Sequence, residues 1–289
     1  MVLDMLAGSM VALITPFSGN LVDFAALERL INWQIDSGTD GIVVCGSTGE
    51  GLLLSNEERE KIIAAAIEIA GRRVPIIVGC SSCFTEETVR LTKQAERLSA
   101  DGVLVSAPYY VKPTQNGIIE HFKRVRENCR LPIIMYNIPS RCAVNMSVDT
   151  IVELSKLGNV SLKDSDTNLS RVAAVKSLAP DLIMLSGDDP SLAGYLVQGG
   201  DGCVSAAANV EPSLVKSLVS SYQKGDLKTM REIAKKLAPL SDVLSVESNP
   251  IPLKYILYKK GFIKNELRLP LTPASVTAME KIDKVLLRI

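Results

Sequence analysis

A single histidine, His121, occurs in 289 residues. That scarcity nearly excludes a His-rich metal site, an HExxH zincin and a Ser/Cys–His–Asp triad, so acid–base chemistry falls to Lys, Tyr, Asp, Glu or Cys. Net charge is missing as well. The 32 Lys+Arg balance 32 Asp+Glu, and only 22% of the chain is charged, which leaves no electrostatic reason to seek nucleic acid or an anionic membrane. No apolar run approaches the roughly 18 to 20 residues of a membrane span, and Met1–Ser9 carries Asp4 where an export signal would carry a basic flank. These absences predict a soluble, unexported protein. Six cysteines (Cys45, Cys80, Cys83, Cys129, Cys142, Cys203) are spaced irregularly, mostly inside apolar runs. They read as buried thiols and not as a disulfide framework. Cys80-Ser81-Ser82-Cys83 has the spacing of a redox or zinc half-site, but it has no second CxxC and no neighbouring histidine, so a structural role is favoured.

What is present is apolar and repetitive. At 47% apolar residues the chain can bury a large core. Short β-rich runs recur at Met10–Phe17, Gly41–Gly46, Pro75–Cys80, Gly102–Ala107, Pro132–Asn137, Val160–Ser165, Leu182–Gly187 and Gly202–Ala207. Their mean step of about 27 residues fits one strand and one helix each time, and so predicts a (β/α)8 TIM barrel, an α/β fold. Continuous runs such as Ile76-Ile77-Val78 suit parallel strands covered on both faces. Ser55 with Glu58 forms a capping box for a helix from Asn56 to Ala70 that Gly71 stops, and Pro190 and Pro212 read as first-turn prolines. Beyond residue 223 the pattern is helical, in segments near Asp226–Val246, Ile251–Lys260 and Pro273–Leu287. The expected organisation is a barrel over residues 1–223, carrying the site, with a C-terminal helical appendage over 224–289.

In such a barrel the chemistry lies at the C-terminal ends of the strands. Three ends stand out. Lys163 ends the apolar run Val160-Ser161-Leu162, where burial favours the neutral, nucleophilic amine; the alternative is a structural lysine paired with Asp164. Lys254, in Pro252-Leu253-Lys254-Tyr255-Ile256, is a rival that is expected to snorkel. Cys45-Gly46-Ser47-Thr48-Gly49-Glu50-Gly51 is either an anion cradle or an ordinary tight turn, and it matches neither a Walker loop nor GxGxxG. Tyr109 and Tyr110 follow the fourth run, and Tyr136 ends the fifth, followed by Arg141. Phenols can pass protons where histidine is scarce, and an arginine can grip a carboxylate. Together with Lys163 they suit carbonyl chemistry on a keto acid.

Leu13-Ile14-Thr15-Pro16-Phe17, Gly46-Ser47-Thr48-Gly49-Glu50, Pro108-Tyr109-Tyr110, Tyr136-Asn137-Ile138-Pro139, Leu162-Lys163 and Ser186-Gly187-Asp188-Asp189 together resemble one family across nearly the whole chain. It is the pyruvate-dependent class I aldolase superfamily of dihydrodipicolinate synthase and N-acetylneuraminate lyase. Ser140-Arg141, Asn249-Pro250-Ile251-Pro252-Leu253-Lys254 and Arg268-Leu269-Pro270 resemble its synthase branch. The resemblance implies that Lys163 forms a Schiff base with pyruvate and that Tyr136 shuttles protons, with Ser47 and Tyr110 completing a relay. Thr48, Val204 and Gly187 would line the substrate. Arg141 would receive the carboxylate of L-aspartate β-semialdehyde, on the way to cyclised 4-hydroxy-tetrahydrodipicolinate of lysine and diaminopimelate biosynthesis. No metal or organic cofactor is implied. A homo-oligomer is implied, usually a dimer of dimers, in which Tyr110 serves the neighbouring subunit's site, and the location is cytoplasmic. Tyr109 and Glu87 match positions used for lysine inhibition, but Cys83 stands where sensitive members carry Asn, and Gly51 and Asn56 also differ. Weak or absent lysine inhibition is expected. The alternatives are another pyruvate aldolase or lyase, such as N-acetylneuraminate lyase, because Ser47 also occurs in that branch, and a silent keto-acid-binding barrel.

Overall fold

The computed structural model describes residues 6–287. The expectation drawn from Asp4 therefore falls on residues 1–5, outside the described part. Strand β1 (Gly8–Ala12) is followed by a minimal hairpin, β2 (Phe17–Ser18) with β3 (Leu21–Val22), that stands outside the main sheet. Then come β4 (Gly41–Val44), β5 (Ile76–Gly79), β6 (Gly102–Ser106), β7 (Ile133–Asn137), β8 (Val160–Asp164), β9 (Met184–Ser186) and β10 (Gly202–Ser205). These seven and β1 close into an eight-stranded parallel barrel as β10 pairs back onto β1. Every residue of β4, β5, β8 and β10 is buried, as strands covered on both faces require.

One expected strand was too long. The run Met10–Phe17 leaves the barrel after Ala12 because the Ile14 N–H donates to the Asn209 side chain at 3.1 Å and Pro16 has no N–H to give a ladder.

Between the strands lie α1 (Phe24–Asp36), α2 (Asn56–Ala70), α3 (Thr85–Arg97), α4 (Gln115–Asn128), α5 (Pro139–Cys142), α6 (Val148–Ser155), α7 (Ser170–Leu178), α8 (Leu192–Val197) and, after β10, α9 (Pro212–Gln223). The capping box before α2 forms in both directions, Glu58 N–H to Ser55 Oγ at 3.2 Å and Ser55 N–H to the Glu58 carboxylate at 2.9 Å. Gly71 closes that helix with a φ of 56°, where a Cβ would be strained. Pro212 opens α9 as expected. Pro190 does not open α8: it precedes the N-cap Ser191, because the turn after β9 is spent on hydrogen bonds from Ser191 to Asp188.

Three helices follow: α10 (Leu227–Leu244), α11 (Ile251–Lys259) and α12 (Val276–Leu286). Leu237 and Leu240 of α10, Leu253 and Ile256 of α11, and Ile282 of α12 join the same buried apolar cluster as the barrel. Among the described residues no helix is long and apolar enough to cross a membrane.

Candidate active site

Parallel pairing in register sets Tyr136 of β7 beside Lys163 of β8, and side chains of register partners point to the same face. Lys163 is only 5% exposed, and its Nζ lies 4.2 Å from the centre of the Tyr136 ring. Adjacent residues on a strand alternate in direction, so Asp164 turns away. It accepts from Asn137 Nδ2 at 2.8 Å and from the Asp166 N–H at 2.9 Å, and faces Arg171 Nε at 3.6 Å. Asp164 is therefore not the lysine's partner, and no ion pair holds Lys163 among the described residues.

Lys163 opens into a cavity of about 380 Å3 at the carboxyl-terminal mouth, walled also by Ser47, Thr48, Tyr136, Arg141, Gly187 and Val204. Seven of the expected site residues thus meet in one place. Gly187 is there for space: a Cβ would stand 2.2 Å from Ser165 Oγ and 2.7 Å from Lys163 Cε. The Ser165 hydroxyl donates to the Tyr136 oxygen at 3.3 Å.

The turn 46–51 is pulled tight by the Gly51 N–H donating to the Gly46 carbonyl at 2.9 Å. Cys45 takes a left-handed φ of 55°, and its carbonyl points where a Cβ on Gly51 would come within 1.9 Å, so residue 51 has room only for hydrogen. Thr48 Oγ1 accepts from Asn249 Nδ2 at 2.9 Å, while the Asn249 carbonyl accepts from Arg141 Nη2 at 2.8 Å. The C-terminal segment thereby ties the turn to the arginine.

Lys254, expected to snorkel, does not reach water. Its side chain is fully enclosed and paired with Glu50, and its Nζ donates to the Glu266 carbonyl at 2.9 Å and lies 4.1 Å from the centre of the Phe17 ring. Burial lowers its pKa to about 8, against the pull of Glu50 in the other direction.

Tyr110 stands apart. It is 89% exposed with a φ of 70° and lines neither the main cavity nor the one beside it, so within one chain the three tyrosines do not converge. Tyr109 lines the neighbouring cavity, which shares Ser47, Tyr136, Ile138 and Arg141 with the first. Of the residues considered for lysine regulation, Glu87 and Asn56 are joined on the surface by Arg90, which donates to each at 2.7 Å, and Cys83 is exposed. Cys142 is accounted for: its thiol donates to the Ala107 carbonyl at 3.1 Å, and burial pushes its pKa up. The other half of the CxxC pair, Cys80, is buried, with its pKa pushed up to about 12, and among the described residues no cluster could hold a metal ion.

Asp189 and Asn249 stood in the quoted motifs but were given no role in the site. Asp189 lines the main cavity and is partly buried, accepting from the Ser205 hydroxyl and from the Ala206 and Ala207 N–H groups at 3.0 and 2.9 Å; burial above all pushes its pKa up. Its place just after a barrel strand was the available signal. Asn249 was marked only as the first residue of the motif Asn249-Pro250-Ile251-Pro252-Leu253-Lys254, because its role arises only when the C-terminal segment docks over the mouth.

A closed parallel barrel whose mouth gathers an amine, phenols, hydroxyls and an arginine is a (β/α)8 barrel of enzyme type. The model of the dihydrodipicolinate synthetase family matches residues 5–289, and the chain belongs to that family. It is 43% identical over 284 residues to the 4-hydroxy-tetrahydrodipicolinate synthase of Syntrophus aciditrophicus, covering 98% of both chains. Among solved structures, the dihydrodipicolinate synthase of Aquifex aeolicus superposes with a TM-score of 0.95 at 43% identity, covering 98% of this chain and 97% of that one. The enzyme of Acinetobacter baumannii, chloride inhibited and complexed with pyruvate, superposes with a TM-score of 0.95 at 37% identity, covering 97% of each.

Proposed function

We propose that the protein is a 4-hydroxy-tetrahydrodipicolinate synthase, a lyase condensing pyruvate with L-aspartate β-semialdehyde. The observation that carries the reading is Lys163: an enclosed amine with no ion pair among the described residues, set against a phenol and open to a cavity. The amine attacks the keto carbon of pyruvate, water leaves, and an iminium forms on Lys163. Loss of a methyl proton gives the enamine, whose carbon forms the new C–C bond to the aldehyde. The semialdehyde's own amine then displaces Lys163 by transimination, closing the ring. Tyr136 moves protons at the carbonyl oxygen, with Ser47 and the Tyr110 of a second copy completing the relay. Thr48, Val204 and Gly187 hold the pyruvate portion, and Arg141 takes the semialdehyde carboxylate.

The almost wholly exposed Tyr110 fits a residue lent to a neighbouring subunit, so activity depends on assembly, which we take to be a dimer of dimers. We take the enzyme to act in the cytoplasm, in lysine and diaminopimelate biosynthesis. Segment 224–289 serves the barrel as an appendage and not as a second domain. Cys83, beside Tyr109, Glu87 and Asn56, supports weak or absent inhibition by lysine.

The test is pyruvate consumption with L-aspartate β-semialdehyde, run beside N-acetylmannosamine. Turnover on the order of 1 per second or faster with the semialdehyde is expected. Turnover with the amino sugar alone would assign the chain to the lyase chemistry instead.

A further inference from the structure

Next to the main cavity, between α8, α9 and α10, lies a smaller one of about 210 Å3. Leu192, Val215, Leu218 and Leu237 make its body apolar. Its charge is of one sign: Asp189 and Asp242 line it, and no lysine or arginine does. Asp242 is exposed, which marks the outer lip, and no ion pair holds it among the described residues. Asp189 stands at the inner end, where the two cavities share Asp189, Pro190 and Ser241. Its hydrogen-bond donors are all neutral, the Ser205 hydroxyl and the Ala206 and Ala207 N–H groups. The cation whose charge reaches it, Lys163, belongs to the main cavity.

Ser241 points to a ligand as well. It projects from α10 and is only 4% exposed. Its carbonyl accepts from the Ser245 hydroxyl at 3.1 Å, but its own hydroxyl has no partner among the described residues and stands where the two cavities meet. A hydroxyl removed from water without a partner costs free energy that a bound polar group returns. Water could meet that hydroxyl but gains nothing from the leucines beyond it. An apolar cavity of about 150 Å3 admits a benzene-sized body, so this one has room for a chain of about five carbons. A primary ammonium brings three donors and a positive charge to a hydroxyl oxygen and a carboxylate.

We propose that this cavity binds a short alkylammonium ion, its head between Ser241 and Asp189 and its tail along Leu192, Val215, Leu218 and Leu237. The site stands on its own residues and not on the reaction proposed above.

The test is calorimetry on the full-length protein at pH 7 with n-pentylamine as probe, since an alkylamine is protonated there as a lysine is. One pentylamine per chain is expected, and each carbon added from methylamine to pentylamine should tighten binding about fourfold. n-Pentanol, which keeps the tail and lacks the charge, should bind about tenfold more weakly or worse. Ser241→Ala should weaken pentylamine about tenfold, and saturating pyruvate should change its affinity by no more than about twofold. Leu237→Phe should fill the cavity and abolish binding. No heat of binding with the wild type overturns the proposal. So does pentanol that binds as tightly as the amine, since the charge is then not read. Displacement by pyruvate, or binding that survives Leu237→Phe, overturns it too, since the amine then sits elsewhere. The wild-type series does not depend on the folding of either variant. A chain that binds pentylamine yet condenses nothing with pyruvate would keep the site and remove the function proposed above.

Discussion

Lys163 and Lys254 both follow a leucine in an apolar run, and both are buried. Their surroundings are opposite. Lys254 sits in a closed ionic knot: Glu50 holds it, Glu50 also accepts the Arg268 N–H at 3.0 Å, and Arg268 pairs in turn with Glu58. Lys163 has a ring on one side and a cavity on the other, with no acid in contact. A buried charge with a fixed partner is structural, because nothing else can approach it. One that faces a cavity is available for chemistry. Asn249 and Glu50 show the link between the two regions, since the knot anchors the turn whose Thr48 faces Lys163.

The largest effect should come from Lys163→Ala. It removes the nucleophile, so borohydride in the presence of pyruvate should no longer add mass to the protein, and turnover should fall by about 10³-fold or more, with little loss of folding stability. Mass spectrometry decides it, since retained trapping would point to Lys254 and break the contrast. Tyr136→Phe should lower kcat by about 10²- to 10⁴-fold while changing KM far less, because proton transfer belongs to the transition state. An unchanged kcat would remove Tyr136 from the mechanism.

On the structural side, Lys254→Met should cost about 3–5 kcal/mol of stability, since it leaves Glu50 enclosed without a counter-charge. Urea unfolding of Lys254→Met beside Lys254→Met/Glu50→Gln sharpens the test: the double variant should regain part of the loss, and failure to regain any would mean that the pairing is not what Lys254 contributes.

His121 shows a third way to bury a base, by staying neutral. Burial lowers its pKa from 6.5 to about 4, and Nδ1 meets only the Thr85 hydroxyl, at 3.0 Å. The unfolded chain takes up the proton first. Its contribution to stability is therefore complete above pH 6.5 and is lost as pH falls towards 4, by up to about 1.4 kcal/mol per pH unit. The difference in stability between wild type and His121→Phe should shrink across that window. A difference that does not change with pH would show that His121 takes up its proton in the fold as readily as in the unfolded chain.

Barrel strands were legible because parallel strands buried on both faces must be continuously apolar, and helix ends because caps such as Ser55–Glu58 act within four residues. Lys163, Tyr136 and Arg141 could be singled out since each ends or follows a strand, where this fold opens. Lys254 misled for the same local reason, as its run resembles that of Lys163. Ser241 lies in an ordinary helical stretch, and only the docking of α10 at the barrel mouth encloses it.

By itself, then, the amino-acid order determined periodicity, caps, turn-forming glycines and the set of groups free to do chemistry without histidine, all of which act over a few residues. Tertiary structure alone decided which buried cation finds an acid and which finds a cavity, and that Tyr110 faces outward. Those outcomes depend on the distance between charges in a medium of low polarisability, and residues such as Glu50 and Lys254, or Thr48 and Asn249, approach each other only when the barrel closes and the last helices dock.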